Sequence, residues 1–236
     1  MRTPLLDWLY PSTCALCRTS LRNGSNLCQP CSQSLPKVRP HACLTCGQDF
    51  DGSLEAPSSC PNCINERPAF NFATAALRKS ESALTLIHQF KLLRRPELGT
   101  DLASLCAERF RNEHRFRELV SPLLIPIPLH GSRLRSRGFN QALELARPLA
   151  KELTIPHLEA LKRVRPTERQ ATLTRKQRLK NLNRAFQVRS SAKELEEKDL
   201  ILIDDVFTTG STVHECARAL LPSKPRSISV LTVLRA

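Results

Sequence analysis

The chain has 236 residues, 41% of them hydrophobic, enough for one ordinary packed domain and a small second unit. No apolar stretch approaches the roughly 20 residues that span a bilayer, and residues 1–10 lack the charged lead, apolar core and cleavage site of a secretion signal, so no membrane insertion and a cytoplasmic location are expected. The 36 Lys and Arg residues against 22 Asp and Glu leave a formal charge of +14, which points to polyanionic partners, phosphates or nucleic acid.

Leu5, Leu6, Trp8 and Leu9 form a short apolar cluster, expected to dock on the protein itself. Eight of the 10 cysteines follow as Cys-x-x-Cys pairs: Cys14 and Cys17, Cys28 and Cys31, Cys43 and Cys46, Cys60 and Cys63. Each pair aims two thiolates at one metal, and two pairs complete a closed tetrahedral zinc site, so two structural zinc ions are expected. Loops of 10 and 13 residues make sequential pairing the simplest assignment, with an interleaved pairing left open. Disulfides are the alternative, and they belong to an oxidising compartment for which the chain carries no export signal. Four thiolates per ion leave no position for a substrate; the metal replaces a core that about 60 residues cannot supply. Cys106 and Cys216 lie on apolar helical faces and read as core thiols.

A boundary near Arg67 divides a cysteine-rich module, 1–66, from a larger domain, 67–236. There a strand pattern at 70–77 precedes two amphipathic helices, Ala83, Leu84, Ile87 and Phe90 marking the first and Leu102, Leu105, Cys106 and Phe110 the second. A strand at 123–127 leads into a loop, 128–141, in which Arg133, Arg135 and Arg137 stand between Gly131 and Gly138. These arginines suit a polyanion such as pyrophosphate; a solvated basic loop is the plainer reading. Residues 140–153 read as a helix that Pro148 kinks or restricts. Residues 161–189 then carry Lys162, Arg163, Arg165, Arg169, Arg175, Lys176, Arg178, Lys180, Arg184 and Arg189 against the single acid Glu168. Arg165, Arg169, Arg175, Lys176 and Lys180 are candidate nucleic-acid contacts, mainly electrostatic because aromatic side chains for base stacking are scarce.

The run at 200–212, Leu-Ile-Leu-Ile-Asp-Asp-Val-Phe-Thr-Thr-Gly-Ser-Thr, carries the most chemistry. A buried strand delivers Asp204 and Asp205 to its carboxyl end, and a hydroxyl-rich turn precedes a helix. Backbone N–H groups of Thr208, Thr209, Gly210, Ser211 and Thr212 would hold a phosphate, while the carboxylates, repelled by that anion, would accept from ribose hydroxyls or position hydrated magnesium. A strand at 227–234 completes an alternating α/β pattern, which implies a mainly parallel sheet covered by helices.

This run resembles the phosphoribosyl pyrophosphate (PRPP) signature of type I phosphoribosyltransferases, and nearly the whole chain resembles the ComF (competence protein F, GntX-like) family, whose Arg-Gly-Phe-Asn-Gln signature is matched by Arg137, Gly138, Phe139, Asn140 and Gln141. The resemblance implies a type I phosphoribosyltransferase sheet with an N-terminal double zinc ribbon-like module. It also implies that residues 165–186 are a mobile active-site loop, so that Arg178, Asp204 and Asp205 are its expected catalytic residues and Arg133 and Arg137 join the turn in binding Mg-PRPP. Base specificity in the resembling fold sits in a variable hood, a position that residues 70–111 and the cysteine module are expected to fill here without spelling a base. A phosphoribosyltransferase-like protein acting in uptake or use of exogenous DNA is expected, with an uncertain acceptor. The alternative is a non-catalytic PRPP sensor that binds mainly single-stranded DNA, with DNA-uptake proteins as further partners.

Overall fold

A computed structural model describes residues 12–21, 24–39, 42–50, 59–165, 182–192 and 194–236. The two cysteine-rich halves repeat one local plan. In the first, β1 (Ser12–Thr13) and β2 (Ser20–Leu21) flank a tight turn in which the Cys14 N–H donates to the Thr19 carbonyl, and Cys28 caps the short helix α1 (Gln29–Ser34). In the second, the Cys43 N–H donates to the Gln48 carbonyl and Cys60 caps α2 (Pro61–Asn65). Each turn passes through the left-handed region at the residue after its second cysteine, Arg18 (φ 65°) and Gly47 (φ 66°). Both short helices carry proline in the first turn, where its missing N–H costs nothing.

The larger part alternates strand and helix: β3 (Phe72–Arg78), α3 (Glu81–Lys91), α4 (Leu98–Asn112), α5 (His114–Arg117), β4 (Pro122–Pro126), α6 (Gly131–Arg137) and α7 (Gln141–Leu153). A small antiparallel ribbon of β5 (Leu161–Arg163) and β6 (Phe186–Val188) precedes β7 (Asp199–Phe207), α8 (Ser211–Leu220) and β8 (Ser227–Arg235). The main sheet runs β3-β8-β7-β4 with every pairing parallel, so all four carboxyl ends share one edge. Its strands are buried on both faces, as continuous apolar runs require: Ile201 and Ile203 face one hydrophobic cluster, Leu200 and Leu202 the other.

The cysteine-rich halves straddle the β3 edge. Cys14 and Leu27 pack into the cluster that holds α3, α4 and α7, whereas Cys43, Cys46 and Cys60 pack into the cluster that holds α8. Between them Lys37 pairs antiparallel with Leu77, the Arg78 N–H donates to the Pro36 carbonyl, and the Ala73 N–H donates to the Thr45 carbonyl. The unpaired side of the edge strand is thereby covered. Across the sheet, Leu124 of β4 is bridged by the segment at His157.

One element departs from the sequence expectation. The expected loop at 128–141 contains α6: the His130 side chain accepts from the Ser132 N–H, and Gly138 (φ 86°) ends the helix in the left-handed region. The arginines that read as a basic loop are thus spaced on a helix. The expected helix at 140–153 is α7, which carries Pro148 inside it and runs on to Leu153. The proline has no N–H for the Glu144 carbonyl, and α4 approaches that oxygen at Gly99, where a Cβ would lie 2.7 Å from it. We predict that Gly99→Ala, by driving α4 and α7 apart, destabilises the fold by about 1–3 kcal/mol in denaturant titration; a midpoint equal to wild type would show that the helices accommodate the methyl group.

Candidate functional site

The sulfur atoms of Cys14, Cys17, Cys28 and Cys31 all lie within 4.8 Å of one another, as do those of Cys43, Cys46, Cys60 and Cys63. All ten cysteines are free of disulfide bonds. The Sγ atoms of Cys17 and Cys28 are 3.6 Å apart and those of Cys46 and Cys60 3.7 Å, close to the roughly 3.8 Å edge of a tetrahedron with Zn–S bonds of about 2.3 Å. Amide donors are aimed at the sulfurs: the Cys28 N–H toward Cys14 Sγ (3.5 Å) and the Cys60 N–H toward Cys43 Sγ (3.2 Å). Bonds from the Thr19 side chain hold the Cys17 thiol at a pKa of about 6, and the Cys46 thiol holds Cys43 at about 4. Their cluster partners move the other way, Cys31 pushed up by its bond to Cys28 and Cys63 by burial, so within each set the lowered thiol is the readiest thiolate for a metal. The donor set fits zinc, and the pairing is sequential.

The second constellation lies beyond the carboxyl ends of β4 and β7, around a cavity of about 280 Å³. Asp204 and Asp205 lie near the carboxyl end of β7, and they, Thr208 and Thr212 line the same cavity. Gly210 (φ 77°) is the N-cap of α8; a Cβ there would be strained and would lie 2.7 Å from the Phe207 ring. Helix α6 presents Arg133 and Arg137 to the cavity, one helical turn apart, while Arg135 is not among its lining residues. The expected trio is therefore a pair.

Each residue of the Arg-Gly-Phe-Asn-Gln signature has a local task. Arg137 lines the cavity and donates to Gln141 Oε1 (2.9 Å). Gly138 ends α6, Phe139 packs on Phe90 of α3 at 5.7 Å between centroids, and Asn140 caps α7 while donating to the Ile127 carbonyl. Gln141 is buried, and its Nε2 has no hydrogen-bond partner among the described residues, a donor without an acceptor in an anion-sized cavity.

Sequence reasoning missed two cations. Lys91, the last residue of α3, lies 2.7 Å from Asp205 Oδ2, and Arg163 of β5 lines the cavity. Lys91 stands four positions after buried Ile87, so a lysine on an apolar helical stripe was the available signal. Burial lowers its pKa to about 8, with Asp204 pulling it up and Arg137 pushing it further down. Burial raises the Asp204 carboxyl to about 6 against the opposing pull of Lys91, Arg163 and Arg137. Thr209 and Ser211, whose hydroxyls are 2.9 Å apart, face a second cavity of about 540 Å³ between the turn and the second cysteine cluster; Thr208 borders both cavities. Arg165 donates to the Asn183 carbonyl (2.5 Å), tying together the two ends of the basic segment. Arg169, Arg175, Lys176, Arg178 and Lys180 lie outside the described residues.

Residues 5–64 match the double zinc ribbon domain and residues 140–236 the phosphoribosyl transferase domain. Fold and clusters together define a phosphoribosyltransferase-type parallel sheet joined to a double zinc ribbon, whose two four-cysteine clusters are structural zinc sites. The chain is 33% identical over 226 residues to competence protein F of Haemophilus influenzae, covering 94% of this chain and 96% of that protein. It is 31% identical over 228 residues to the DNA utilization protein YhgH of Salmonella typhi (95% and 97% covered) and 29% identical over 223 residues to competence protein ComFC of Bacillus subtilis (91% and 86%). The chain belongs to the competence protein F family.

From the pairing of the clusters we expect metal analysis to find two zinc ions per chain, and one in either Cys14→Ser or Cys43→Ser. Two ions retained in Cys43→Ser would contradict the four-thiolate assignment of the second cluster.

Proposed function

We propose that the chain binds Mg-complexed PRPP at the carboxyl edge of its sheet and acts as a phosphoribosyltransferase in the handling of exogenous DNA. The observation that carries this reading is the convergence of Lys91, Arg133, Arg137 and Arg163 with the buried Gln141 donor on one small cavity that also holds Asp204, Asp205, Thr208 and Thr212, while Thr209, Gly210 and Ser211 border the neighbouring cavity. Two carboxylates alone would repel such a ligand; four cations beside them make a site for a sugar with phosphate at both ends.

In this reading the 208–212 turn takes the 5-phosphate through the N–H groups of a helix start, which have no intrahelical acceptors. Asp204 and Asp205 accept from the ribose hydroxyls and offer hard oxygen donors to the magnesium ion, which neutralises phosphate charge. Arg133, Arg137 and Gln141 meet the pyrophosphate. As its C1–O bond breaks, the bonding electron pair leaves with pyrophosphate and the acceptor's lone pair forms the new bond at C1, so the cations stabilise charge where it accumulates. Arg178, by family resemblance, would add to that neutralisation from the basic segment. The double zinc ribbon, residues 1–66, and residues 67–236 form the two units of this assembly, with no zinc-site cysteine lining the cavity that holds the carboxylates. Among the described residues no helix is long and apolar enough to cross a membrane, and the proposed location is the cytoplasm.

A second reading is favoured by the ten-to-one excess of basic over acidic residues at 161–189: a PRPP sensor without catalysis, holding mainly single-stranded DNA through Arg165 and its basic neighbours and meeting DNA-uptake proteins. The names of the relatives, competence protein and DNA utilization protein, support a DNA-linked role under either reading.

Calorimetry with Mg-PRPP on Asp204→Asn and Asp205→Asn tests the site: at least about tenfold weaker binding is expected for each, the scale of a lost hydrogen bond to a charged group, with DNA affinity unchanged. PRPP affinity equal to wild type in both variants would remove the carboxylates from the site. Pyrophosphate release across a panel of bases and nucleic acids then separates enzyme from sensor. The protonated form of Asp204 cannot serve as acceptor in both oxygens, so PRPP affinity should rise as pH increases through about 6 and fall below it. The phosphates themselves titrate nearby, so the diagnostic is the part of this pH dependence that disappears in Asp204→Asn.

A further inference from the structure

One guanidinium joins the second zinc site to the turn after β7. Arg235, at the end of β8, is in register with Phe207 of β7. Its Nε donates to the Cys46 carbonyl (3.1 Å), and Nη2 donates to Gln48 Oε1 (2.7 Å) and lies 3.9 Å from Cys46 Sγ. Nη1 donates to the carbonyls of Phe207 (3.1 Å), Thr208 (2.8 Å) and Ala236 (2.6 Å). The same guanidinium stacks over the Phe207 ring at 4.8 Å, the ring against which Gly210 packs.

These bonds have a directional consequence. In a planar trans peptide the N–H points opposite to the C=O. Holding the Phe207 and Thr208 carbonyls toward Arg235 turns the N–H groups of Thr208 and Thr209 to the side away from it, and those are two donors of the proposed phosphate turn. The other half of the fork is held by the Cys43-x-x-Cys46 knuckle, where the Cys43 N–H donates to the Gln48 carbonyl and the Gly47 N–H to the Cys43 carbonyl around two of the four gathered thiols. The first zinc site packs in the cluster on the opposite face of the sheet.

We propose that Arg235 is a positioning residue that makes the turn at 208–212 dependent on metal in the Cys43, Cys46, Cys60 and Cys63 site, so that phosphate binding follows zinc occupancy of that site and not of the first. The dependence on phosphate rests on the functional reading above; the link between metal and turn does not. Lysine cannot reproduce a planar fork that reaches two separate segments.

The experiment uses the full chain with three variants: Arg235→Lys, Cys63→Ser in the second site and Cys31→Ser in the first. Zinc content, hydrogen exchange of the 207–212 amides, and ribose 5-phosphate affinity by calorimetry are measured on each. Arg235→Lys should keep both zinc ions yet show about tenfold faster exchange in the turn and about tenfold weaker ribose 5-phosphate binding, the scale of losing charge-assisted bonds. Cys63→Ser should do the same with one zinc ion lost, and Cys31→Ser, also one ion short, should match wild type in both readouts. The proposal fails if exchange in the turn is unchanged in Arg235→Lys, or if Cys31→Ser perturbs the turn as much as Cys63→Ser does. Should Cys63→Ser not fold, Arg235→Lys still decides. If wild-type, zinc-replete protein binds no ribose 5-phosphate, the functional reading falls, while exchange in the turn continues to report on the coupling.

Discussion

A parallel sheet places the ends of all its strands on one edge, and here that edge must hold two adjacent carboxylates in a partly dehydrated setting. Like charges side by side are unstable unless cations come to them. The surrounding structure answers this demand: α3 ends with Lys91 against Asp205, α6 presents Arg133 and Arg137 one turn apart, and the β5–β6 ribbon adds Arg163. The Phe90–Phe139 contact, which seats the end of α3 against the start of α7, belongs to the same requirement because it holds Lys91 in place. The positive surplus that results suits a polyanion with hydroxyl groups to spare for the carboxylates.

Zinc does a different job. A four-stranded sheet has two edges to protect, and β3 is covered by a segment too poor in large apolar side chains to fold by burial alone. Two thiolate clusters stand at either end of that segment, one packed on each face of the sheet, so metal binding clamps the linker along the edge strand. The module is joined to the sheet by shared hydrophobic clusters and by Arg235. The two cysteine clusters and the cavity at Asp204 and Asp205 thus meet in one molecule without sharing a lining residue.

The cavity between the second cluster and the turn places Phe70 and Phe207, edge to face at 6.1 Å, beside the hydroxyls of Thr209 and Ser211. It is bounded on one side by Cys46, Cys60 and Cys63 of the zinc ribbon.

Much of this was legible in the sequence. Cysteine spacing pointed to two four-thiolate sites, and the structure decided for the sequential pairing over the interleaved one that spacing left open. The apolar run ending in Asp204 and Asp205 determined a buried strand with charge at its tip, and the hydroxyl-rich stretch around Gly210 determined a turn feeding a helix; each is encoded within a dozen neighbouring residues. Helix α6 was hidden because alternating arginines and flanking glycines read as a loop until the His130 cap and the Gly138 terminator are seen. Only the tertiary structure decided which charges neutralise the carboxylates, that Gln141 lines the same cavity, and that Arg235 spans two units. Lys91 and Asp205, or Cys46 and Arg235, are remote along the chain and meet solely through strand order and helix packing, and long-range electrostatic pairing leaves no periodic trace in a sequence.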